Sequence, residues 1–388
     1  MRLPSAPREE DFDRRLRSPA VTSRVGLWLG ICFGVAFVTG LVSHWAYAAD
    51  PLVAFPTRPV WGYRLTQGIH VASGTAAIPL LLVKLWTVYP KLFARPPRDS
   101  VRRLVGHALE RSSIGLLVAA AIFQLASGLA NTAQWYPWAF SFRRTHYAVA
   151  WLAIGALVVH IAVKLPLVRA SLRLPLSAAV QDAPAEEPAP GALSRRGLLR
   201  STGLAATLAV LATAGSTVPL LRKVSVLGVR SGDGPQGIPI NKSAAAARVT
   251  ELARDPGYRL TVVHDGQETT WSRDELAALP QTDADLPIAC VEGWSAAGRW
   301  SGVRLRELLD RVGAPRGRDL RIESLQPSGP FRVTTMPAPF ADDPLTLLAL
   351  ALGGQPLSLD HGYPARVIAP DRPGVLQTKW VVRIEVLS

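Results

Sequence analysis

Long apolar runs dominate the first half of the chain, whereas short apolar stretches alternate with polar turns in the second half. Four of the runs are each about 20 residues long, the length that an α-helix needs to cross the hydrocarbon core of a bilayer. They cover Val25–Tyr47, Thr66–Tyr89, Ser112–Thr132 and His146–Leu165. A fifth run, Ser201–Leu221, comes after a linker whose proline- and alanine-rich stretch 182–190 is too polar to pack.

These runs predict an all-α transmembrane bundle of four helices plus one anchor helix. The chain divides accordingly into an N-terminal segment, a membrane domain, a linker, the anchor helix and a C-terminal domain: 1–23, 24–166, 167–200, 201–221 and 222–388. The alternative is that the runs are core helices of a large soluble protein. That alternative does not explain why basic residues concentrate in alternate loops.

A net charge of +14 would suit a nucleic-acid partner, but almost all of it lies in the membrane half. Residues 1–220 carry 23 basic and 10 acidic side chains, whereas residues 221–388 carry 20 and 19. Seventeen basic residues lie before the first run, between the second and third runs, and in the linker, against four in the other two loops. The positive-inside rule then places the N-terminus and the linker in the cytoplasm. We expect a multi-pass protein of the cell membrane with an extracytoplasmic C-terminal domain, lipid as a partner and no nucleic acid.

Histidines inside the runs are candidate haem ligands, because an ionisable side chain in a membrane span marks a functional site by default. His70 lies about one turn inside the outer end of the second run, and His146 begins the fourth run at the same level. Two imidazoles at one depth can take both axial positions of a haem b. His160 comes 14 residues after His146, almost on the same face and about 21 Å further along the helix. It is a candidate ligand of a second haem, or else it bonds helix backbone or a quinone.

The second inner ligand is less clear from the sequence, since the position facing His160 on the second run is Lys84. We expect Lys84 to snorkel to the surface, which leaves His107 as the other candidate. The helix and histidine pattern over about residues 24–166 resembles the four-helix di-haem cytochrome b family, which includes membrane subunits of formate dehydrogenases and bacterial cytochrome b561 proteins. From it we expect one or two haems b that exchange electrons with quinone or quinol.

Two adjacent arginines, Arg195 and Arg196, precede the fifth run in the sequence Ser-Arg-Arg-Gly-Leu-Leu-Arg. This looks like a twin-arginine export signal, the route of domains that fold in the cytoplasm around a cofactor. Such a signal exports only the part of the chain on its C-terminal side. The alternative is that the arginines mark the inner end of a membrane helix. Cleavage at Ala212–Ala214 would separate the C-terminal domain from its electron partner, so we expect an uncleaved anchor.

The C-terminal domain is predicted to be α+β. Asp265-Gly266 between two apolar stretches is a hairpin signal, and Ser272 with Glu275 forms a capping box that opens a short helix. A second helix is expected near Val303–Val312. The predicted strands are Tyr258–His264, Glu268–Trp271, Leu286–Val291, Leu320–Leu325, Ala365–Ala369 and Lys379–Val386.

Cys290 lies in the predicted buried strand Leu286–Val291, and the second cysteine of the chain, Cys32, lies in the first membrane run. Cys290 therefore has no disulfide partner within the chain. An unpaired thiol in an oxidising compartment is exposed to damage unless it is buried or binds a metal. Cys290 is either a buried structural cysteine or a metal ligand.

Four motifs succeed one another in the C-terminal domain. They are Cys-Val-Glu-Gly-Trp at Cys290–Trp294, Arg-Trp-Ser-Gly-Val-Arg-Leu at Arg299–Leu305, Asp-His-Gly-Tyr-Pro-Ala-Arg-Val-Ile-Ala-Pro at Asp360–Pro370, and Gly374 with Lys379-Trp380. Together they resemble the molybdopterin-binding domain of the sulfite oxidase family over about residues 235–388. The periplasmic methionine sulfoxide reductase branch of that family is the nearest in pattern.

The resemblance implies a molybdopterin cofactor and a role for each matching residue. Cys290 would be the one protein ligand of molybdenum, a soft thiolate on a redox-active metal. The residues implied to bind the pterin are Asn241, His361, Arg366, Gly374 and Lys379. Arg366 would bind the phosphate side as a charge-assisted fork.

The substrate is addressed by one departure from the family pattern and by three further residues. Many sulfite oxidases have an Ala-Tyr-x-x-Asn-Gly run, whereas residues 349–354 here read Ala-Leu-Ala-Leu-Gly-Gly, which argues against sulfite. Arg299, Tyr363 and Arg332 are candidates for the substrate side, the first two as catalytic residues, or else they are surface and packing residues.

The sequence as a whole predicts a membrane-bound molybdopterin-dependent oxidoreductase. Electrons would pass from quinol through haem b to a molybdenum centre that reduces a small-molecule S- or N-oxide by oxo transfer. A sulfite-type dehydrogenase that feeds electrons to quinone is one alternative. A haem b protein of electron transfer or assembly, without catalysis at molybdenum, is another.

Overall fold

The computed structural model describes residues 9, 12, 14–48, 53–94, 96–97, 99–178, 192–228 and 234–388. The linker stretch 182–190 lies outside the described residues. So do four of the basic residues that support the predicted orientation, Arg2, Arg8, Arg95 and Arg98. The chain forms two compact units, which are described separately. The helical unit comprises Met1–Val38 and His70–Thr213, and the sheet unit comprises Thr39–Ile69 and Ala214–Ser388.

Five long helices account for the predicted apolar runs: α1 Pro19–Ala46, α2 Gly62–Val88, α3 Val101–Thr132, α4 Phe142–Arg173 and α5 Arg195–Thr213. The first four are long and apolar enough to cross a membrane, by length and composition. Each is longer than its predicted run because polar turns continue the helix. Pro166 lies inside α4 rather than at its end. Proline is tolerated within helices that pack against other helices in a membrane.

Helix α5 differs from its prediction, since it begins before Ser201 and ends at Thr213 instead of Leu221. Short 3-10 turns come next, at Ala214–Ser216 and Pro219–Leu221. Three arginines lie within the first two turns of α5, and the helix is not among the four that are apolar enough to cross. A fifth crossing therefore stays a prediction.

The twin arginines lie in the first turn of α5. Ser194 Oγ accepts a hydrogen bond from the Gly197 N–H at 3.0 Å and caps the helix. The Arg195 guanidinium donates to the carbonyls of Leu176 at 2.8 Å and Ala178 at 2.6 Å. These bonds give Arg195 a structural role at the start of the helix, and an export signal at this position stays a prediction.

The sheet unit is β-rich and contains two sheets. The strands are β1 Arg259–His264, β2 Gln267–Ser272, β3 Thr282–Ala289, β4 Ser295–Arg304, β5 Leu320–Ser324, β6 Val333–Met336, β7 Leu347–Leu352, β8 Gln355–Pro356, β9 Arg366–Ile368 and β10 Val381–Val386. One sheet has the order β2-β1-β10-β5-β6, and the other has the order β3-β4-β7-β8, with β9 also paired to β7. The short helices are α6 Ala244–Ala247, α7 Thr250–Arg254, α8 Arg273–Ala278, α9 Leu305–Arg311 and α10 Ala338–Ala341.

The local signals of the C-terminal domain agree with the structure. Asp265 and Gly266 both have positive φ, 47° and 75°, and they join β1 to β2 as an antiparallel hairpin. Both hydrogen bonds of the Ser272–Glu275 capping box are present at the start of α8. The predicted helix Val303–Val312 is shorter, at Leu305–Arg311, because its first residues belong to strand β4.

The core of the sheet unit includes residues from the segment between the first two membrane runs. Ala46, Phe55 and Tyr63 are buried in one cluster with Leu260 of β1 and Ile322 of β5. Arg58 forms a two-pronged ion pair with Asp343, at 2.7 Å and 3.1 Å. The α1–α2 hairpin, residues 39–69, therefore belongs to the same unit as the C-terminal sheets.

Candidate functional site

A small cavity lies in the sheet unit. Its lining residues are Pro239, Ile240, Asn241, Ile288, Cys290, Trp294, His361, Arg366, Gly374 and Lys379. The structure thus brings together in one place all six residues that the sequence assigned to molybdenum and the pterin. They come from five separate segments of a 139-residue stretch, Asn241 to Lys379.

Cys290 directly follows strand β3 and begins a turn that Gly293 completes with a φ of +83°. The Cys290 N–H donates to the Trp294 carbonyl at 2.8 Å, which closes the turn. The residue is 1% exposed, and its Sγ lies 3.8 Å from Glu292 Oε2. Within the described residues, no three His, Cys, Asp or Glu side chains group as a metal site. The single buried thiol of Cys290 at the cavity wall fits a metal that takes one protein ligand.

Two buried cations, Arg366 and Lys379, line the cavity. Arg366 is 2% exposed, and its guanidinium donates to the carbonyls of His361 at 3.1 Å and Gln377 at 3.3 Å. The Arg366 Nε is buried without a hydrogen-bond partner in the described part of the chain. Burial lowers the pKa of Arg366 to about 9. The guanidinium also lies 4.9 Å from the centre of the Trp300 ring, in cation–π geometry.

The Lys379 ammonium donates to the carbonyl of Asp360 at 3.0 Å and to that of Lys242. Burial, together with the nearby Arg366 charge, lowers the pKa of Lys379 to about 7. Among the described residues, neither Arg366 nor Lys379 forms a salt bridge. Buried cations are costly unless an anion compensates them. The phosphate of a molybdopterin would supply that anion, so the donor set fits the cofactor.

His361 is buried beside the two cations and is neutral at pH 7. Burial is the main cause that lowers the pKa of His361 to about 4, and the Arg366 charge adds to it. The His361 Nε2 lies 2.6 Å from the Pro235 carbonyl, which assigns the ring proton to Nε2. Gly362 comes next with a φ of +109°, where a Cβ would lie 3.0 Å from Lys379 Cβ and 3.1 Å from Arg366 Cβ. Only glycine lets these three cavity residues lie so close together.

Gly374 brings the backbone of the segment after β9 against strand β3. A Cβ at this position would lie 3.0 Å from the Ala289 carbonyl, directly before Cys290. The close approach explains why glycine is required at the cavity wall.

Arg299 and Tyr363 do not line the cavity. Arg299 lies on strand β4, and its side chain is 65% exposed and paired with Asp283 at 2.8 Å. Side chains alternate along a strand, so the neighbouring Trp300 is fully buried while Arg299 faces outward. The Tyr363 ring packs 5.0 Å from the Arg273 guanidinium. The substrate-side roles of both residues stay predictions.

Trp294 and Gln377 were missed by the sequence reasoning. Trp294 lines the cavity, and its Nε1 donates to Glu292 at 3.1 Å. Its signal was its place at the end of the Cys290 motif. The Gln377 amide oxygen is buried without a hydrogen-bond partner among the described residues, while its nitrogen donates to the Arg372 carbonyl at 2.8 Å. A lone glutamine in a loop carries no sequence signal of this kind.

The predicted haem ligands of the helical unit, His70 on α2 and His146 on α4, face each other. Their ring centroids are 6.4 Å apart. A metal–imidazole bond is about 2 Å long, so two imidazoles on opposite sides of one iron have centroids roughly 6 Å apart. His70 Nδ1 is 2.9 Å from the Ala36 carbonyl, and His146 Nδ1 is 3.1 Å from Ser127 Oγ. A donor Nδ1–H puts the lone pair on Nε2, the arrangement usual for metal-bound histidine. The pair fits a haem iron.

The candidates for a second haem are less favourable. His107 Nε2 accepts a hydrogen bond from Arg111 at 2.8 Å on its own helix, which occupies the nitrogen that would bind iron. The snorkelling of Lys84 stays a prediction. The Lys84 ammonium donates to the Thr22 carbonyl on α1 at 3.0 Å, over Gly26, where a Cβ would lie only 2.9 Å from Nζ. His160 stays a candidate without a second ligand identified among the described residues.

A comparison with known protein families matches the C-terminal part of the chain. Residues 247–388 match the family model described as oxidoreductase molybdopterin binding domain. The chain therefore carries a domain of this class, with all the cavity residues except Asn241 and its two neighbours inside the match.

Individual relatives agree with that class. A protein of Azospira oryzae named "Putative protein-methionine-sulfoxide reductase subunit YedZ1" is 36% identical over 118 residues, 30% of this chain and 44% of that protein. The mitochondrial sulfite oxidase of Rattus norvegicus is 31% identical over 34% of this chain and 29% of that protein. The protein-methionine-sulfoxide reductase catalytic subunit MsrP of Burkholderia mallei is 29% identical over 38% of this chain and 49% of that protein. This chain thus spans less than half the length of each relative. The matches support an oxidoreductase and a molybdopterin cofactor, and they confirm the predicted class of the domain.

Proposed function

We propose that the protein is a membrane-bound oxidoreductase that passes electrons from quinol through haem b to a molybdopterin centre, where an S- or N-oxide is reduced. The observation that carries the proposal is the cavity around Cys290, which combines one buried thiol with two buried basic side chains, Arg366 and Lys379. The names of the relatives, two from methionine sulfoxide reduction and one a sulfite oxidase, support a small sulfur compound as the substrate.

In the cavity, Cys290 would bind molybdenum through its thiolate. Arg366 and Lys379 would hold the phosphate of the pterin, and His361 and Asn241 would supply polar contacts beside it. Molybdenum in this cofactor supplies two-electron oxo transfer when bound. Trp294 and Ile288 exclude water from the thiol, which protects it from oxidation in an oxidising compartment.

In the helical unit, His70 and His146 would hold one haem b through their Nε2 atoms. The Ala36 carbonyl and the Ser127 hydroxyl fix the two rings in place by their bonds to Nδ1. Haem carries one electron at a time, so it would connect a quinol in the membrane to the two-electron chemistry of the cavity. A second haem at His160 is part of the proposal only if a further ligand is found.

The charge alternation supports a topology with the N-terminus and the linker in the cytoplasm and the C-terminal domain outside it. Lipid and quinone are then the partners within the membrane, and the small-molecule substrate reaches the cavity from the extracytoplasmic side. Five crossings are needed for this arrangement, so α5 would have to cross despite its shorter apolar stretch.

Quantifying molybdenum and haem in the purified full-length protein, and then titrating its redox state, tests the proposal. We expect both groups, haem reduction by a quinol, and haem reoxidation on addition of methionine sulfoxide or an N-oxide. Haem without molybdenum would refute the enzyme and leave a role in electron transfer or assembly. Reduction of the haem by sulfite would reverse the direction and indicate a dehydrogenase that feeds quinone.

A further inference from the structure

Asp371 is a buried acid outside the cavity that the proposed function does not use. It lies between β9 and the 3-10 turn Gly374–Leu376, and it is 4% exposed. Its φ of +54° is unusual for a residue other than glycine. Among the described residues it forms no salt bridge. A buried carboxylate in a strained backbone conformation needs a structural reason.

The reason is the N-terminus of helix α2. The Asp371 carboxylate accepts a hydrogen bond from the backbone N–H of Tyr63, the second residue of that helix. The N–H of Gly62, the first residue, donates to the Pro59 carbonyl at 2.9 Å. Helix α2 has no acidic residue of its own in its first turn. The first N–H groups of a helix lack partners within it, and the positive end of its dipole attracts a negative charge. Asp371 thus caps a helix that begins more than 300 residues earlier in the chain.

The contact leaves no room for a side chain at position 62. A Cβ on Gly62 would lie 2.8 Å from Asp371 Oδ2 and 3.1 Å from Oδ1. Burial raises the pKa of Asp371 to about 7, and the nearby N–H groups of Tyr63 and Gly62 oppose that rise because they favour the charged form. The N-terminus of helix α2 therefore stabilises the charged form of the Asp371 side chain.

Asp371 belongs to the segment that forms one wall of the cofactor cavity. The neighbouring Arg372 is buried and donates to the carbonyls of Leu376 at 3.1 Å and Thr335 at 2.8 Å. The Gln377 amide donates to the Arg372 carbonyl and closes the segment on itself. Gly374, three residues after Asp371, packs against the backbone next to Cys290. A displacement of Asp371 would therefore be transmitted to the cavity wall.

A second contact of the same kind reaches the Cys290 turn. Thr217, in the segment after α5, is 1% exposed and donates its hydroxyl to the Gly293 carbonyl. The Cys290 turn is thus bonded to the segment that follows α5, and the segment that contains Asp371 and Gly374 is bonded to the start of α2.

We propose that Asp371 is a positioning residue, whose carboxylate holds the pterin-binding segment 372–379 to the N-terminus of helix α2. In this role it would keep the segment at a fixed position in the cavity wall, and it would not contact the cofactor itself. The inference rests on the proposed function, since it requires a molybdopterin in the cavity.

The matched control is Arg58, which ties the same hairpin to the sheets through Asp343 but lies outside the cavity wall. Asp371→Asn preserves the size of the side chain and removes its charge, and Asp371→Ala removes both acceptors. Arg58→Met removes an anchor of the hairpin without touching the pterin segment. All variants are to be prepared as the full-length, cofactor-loaded protein in lipid nanodiscs.

The first measurement is hydrogen exchange of the peptide that contains Gly62 and Tyr63. We expect at least tenfold faster exchange at the Tyr63 amide in Asp371→Ala, a smaller increase in Asp371→Asn, and no change there in Arg58→Met. Unchanged exchange in Asp371→Ala would refute the cap itself.

The second measurement is methionine sulfoxide turnover driven by a dye that reduces the molybdenum centre directly, with the molybdenum(V) electron paramagnetic resonance spectrum recorded on the same samples. In Asp371→Asn we expect turnover to fall at least fivefold and the molybdenum(V) spectrum to change, with unchanged molybdenum content. In Arg58→Met turnover should stay within twofold and the spectrum should be unchanged. Unchanged turnover with an unchanged spectrum in Asp371→Asn, or an equal loss in Arg58→Met, would overturn the positioning role. If the wild-type protein lacks molybdenum, the proposed function fails and the positioning role falls with it, while the exchange measurement still decides whether the cap exists.

Discussion

The candidate haem site and the candidate molybdenum site are assembled by different means. In the helical unit, His70 and His146 come from two long helices, and each ring is fixed by one hydrogen bond to a neighbouring helix. In the sheet unit, Cys290 stands on a turn, and the remaining cavity residues come from loops and strand ends held by glycine contacts and buried cations.

The difference indicates which substitutions should displace the ligands of each site. A ligand on a helix takes its position from the helix, so its depth is set by a rise of about 1.5 Å per residue. A ligand on a turn takes its position from many local bonds, such as the one between the Cys290 N–H and the Trp294 carbonyl. Substitutions near the haem pair should therefore act through the two rings alone, whereas substitutions around Cys290 should act through several residues.

The largest expected effect separates the two sites completely. Cys290→Ser replaces the soft thiolate by a hydroxyl that binds molybdenum poorly. We expect molybdenum-dependent activity to fall by more than the roughly 10- to 100-fold that substitutions outside the first coordination shell cost. The haem absorbance spectrum should be unchanged. Activity assays with metal analysis and an optical spectrum check both points.

Glu292→Gln is the matched control for that change, because Glu292 lies 3.8 Å from the thiol and bonds Trp294 without replacing the ligand. We expect a loss of activity no greater than about 100-fold. Full activity in Cys290→Ser would show that the cysteine is structural and would remove the basis for the comparison.

The next effect concerns the helical unit. His146→Ala should abolish the b-type haem spectrum, because a six-coordinate haem loses one of its axial ligands. His160→Ala is the control on the same helix, 14 residues further on. It should leave that haem intact and remove a second haem only if one is present. Pyridine haemochrome quantification of both variants measures the outcome. A normal haem spectrum in His146→Ala would exclude His70 and His146, whose ring centroids are 6.4 Å apart, as the two axial ligands of the haem.

Much of this architecture is predictable from the sequence where the cause is local. The hairpin at Asp265-Gly266 and the capping box at Ser272 result from backbone preferences of two or four neighbouring residues. The apolar runs and the spacing of His70 and His146 result from the length and period of a helix. The cavity residues around Cys290 came from a family resemblance, which records their positions without explaining them.

The sequence is least informative where tertiary contacts decide the structure. Strand β4 is rich in Gly, Ser and Ala, and it forms because it pairs with both β3 and β7. At Gly302 a Cβ would lie 2.1 Å from the Leu348 carbonyl, so glycine is required by a neighbour that is distant in sequence. The motif that contains Arg299 does not reveal its ion pair with Asp283 on the neighbouring strand. No sequence period reveals that the Lys84 ammonium bonds a carbonyl on α1.

The smallest expected effect tests whether the cavity is built for an anion. In the cofactor-free protein, the pKa of Lys379 is lowered to about 7 by burial, whereas the unfolded chain keeps the ordinary value of 10.5. Between these two values the unfolded state binds one more proton than the folded state, so the free energy of unfolding rises with pH by up to about 1.4 kcal/mol per pH unit. Full-length protein from a host that cannot make molybdopterin should therefore gain thermal stability from pH 7 to pH 8.5, and Lys379→Met should remove this gain.

A bound phosphate favours the charged ammonium of Lys379 and raises its pKa again, so the thermal stability of the cofactor-loaded protein should depend much less on pH over the same range. Equal pH dependence in the two forms would mean that no anion binds beside Lys379. This result would refute the assignment of the cavity as the site of a pterin phosphate.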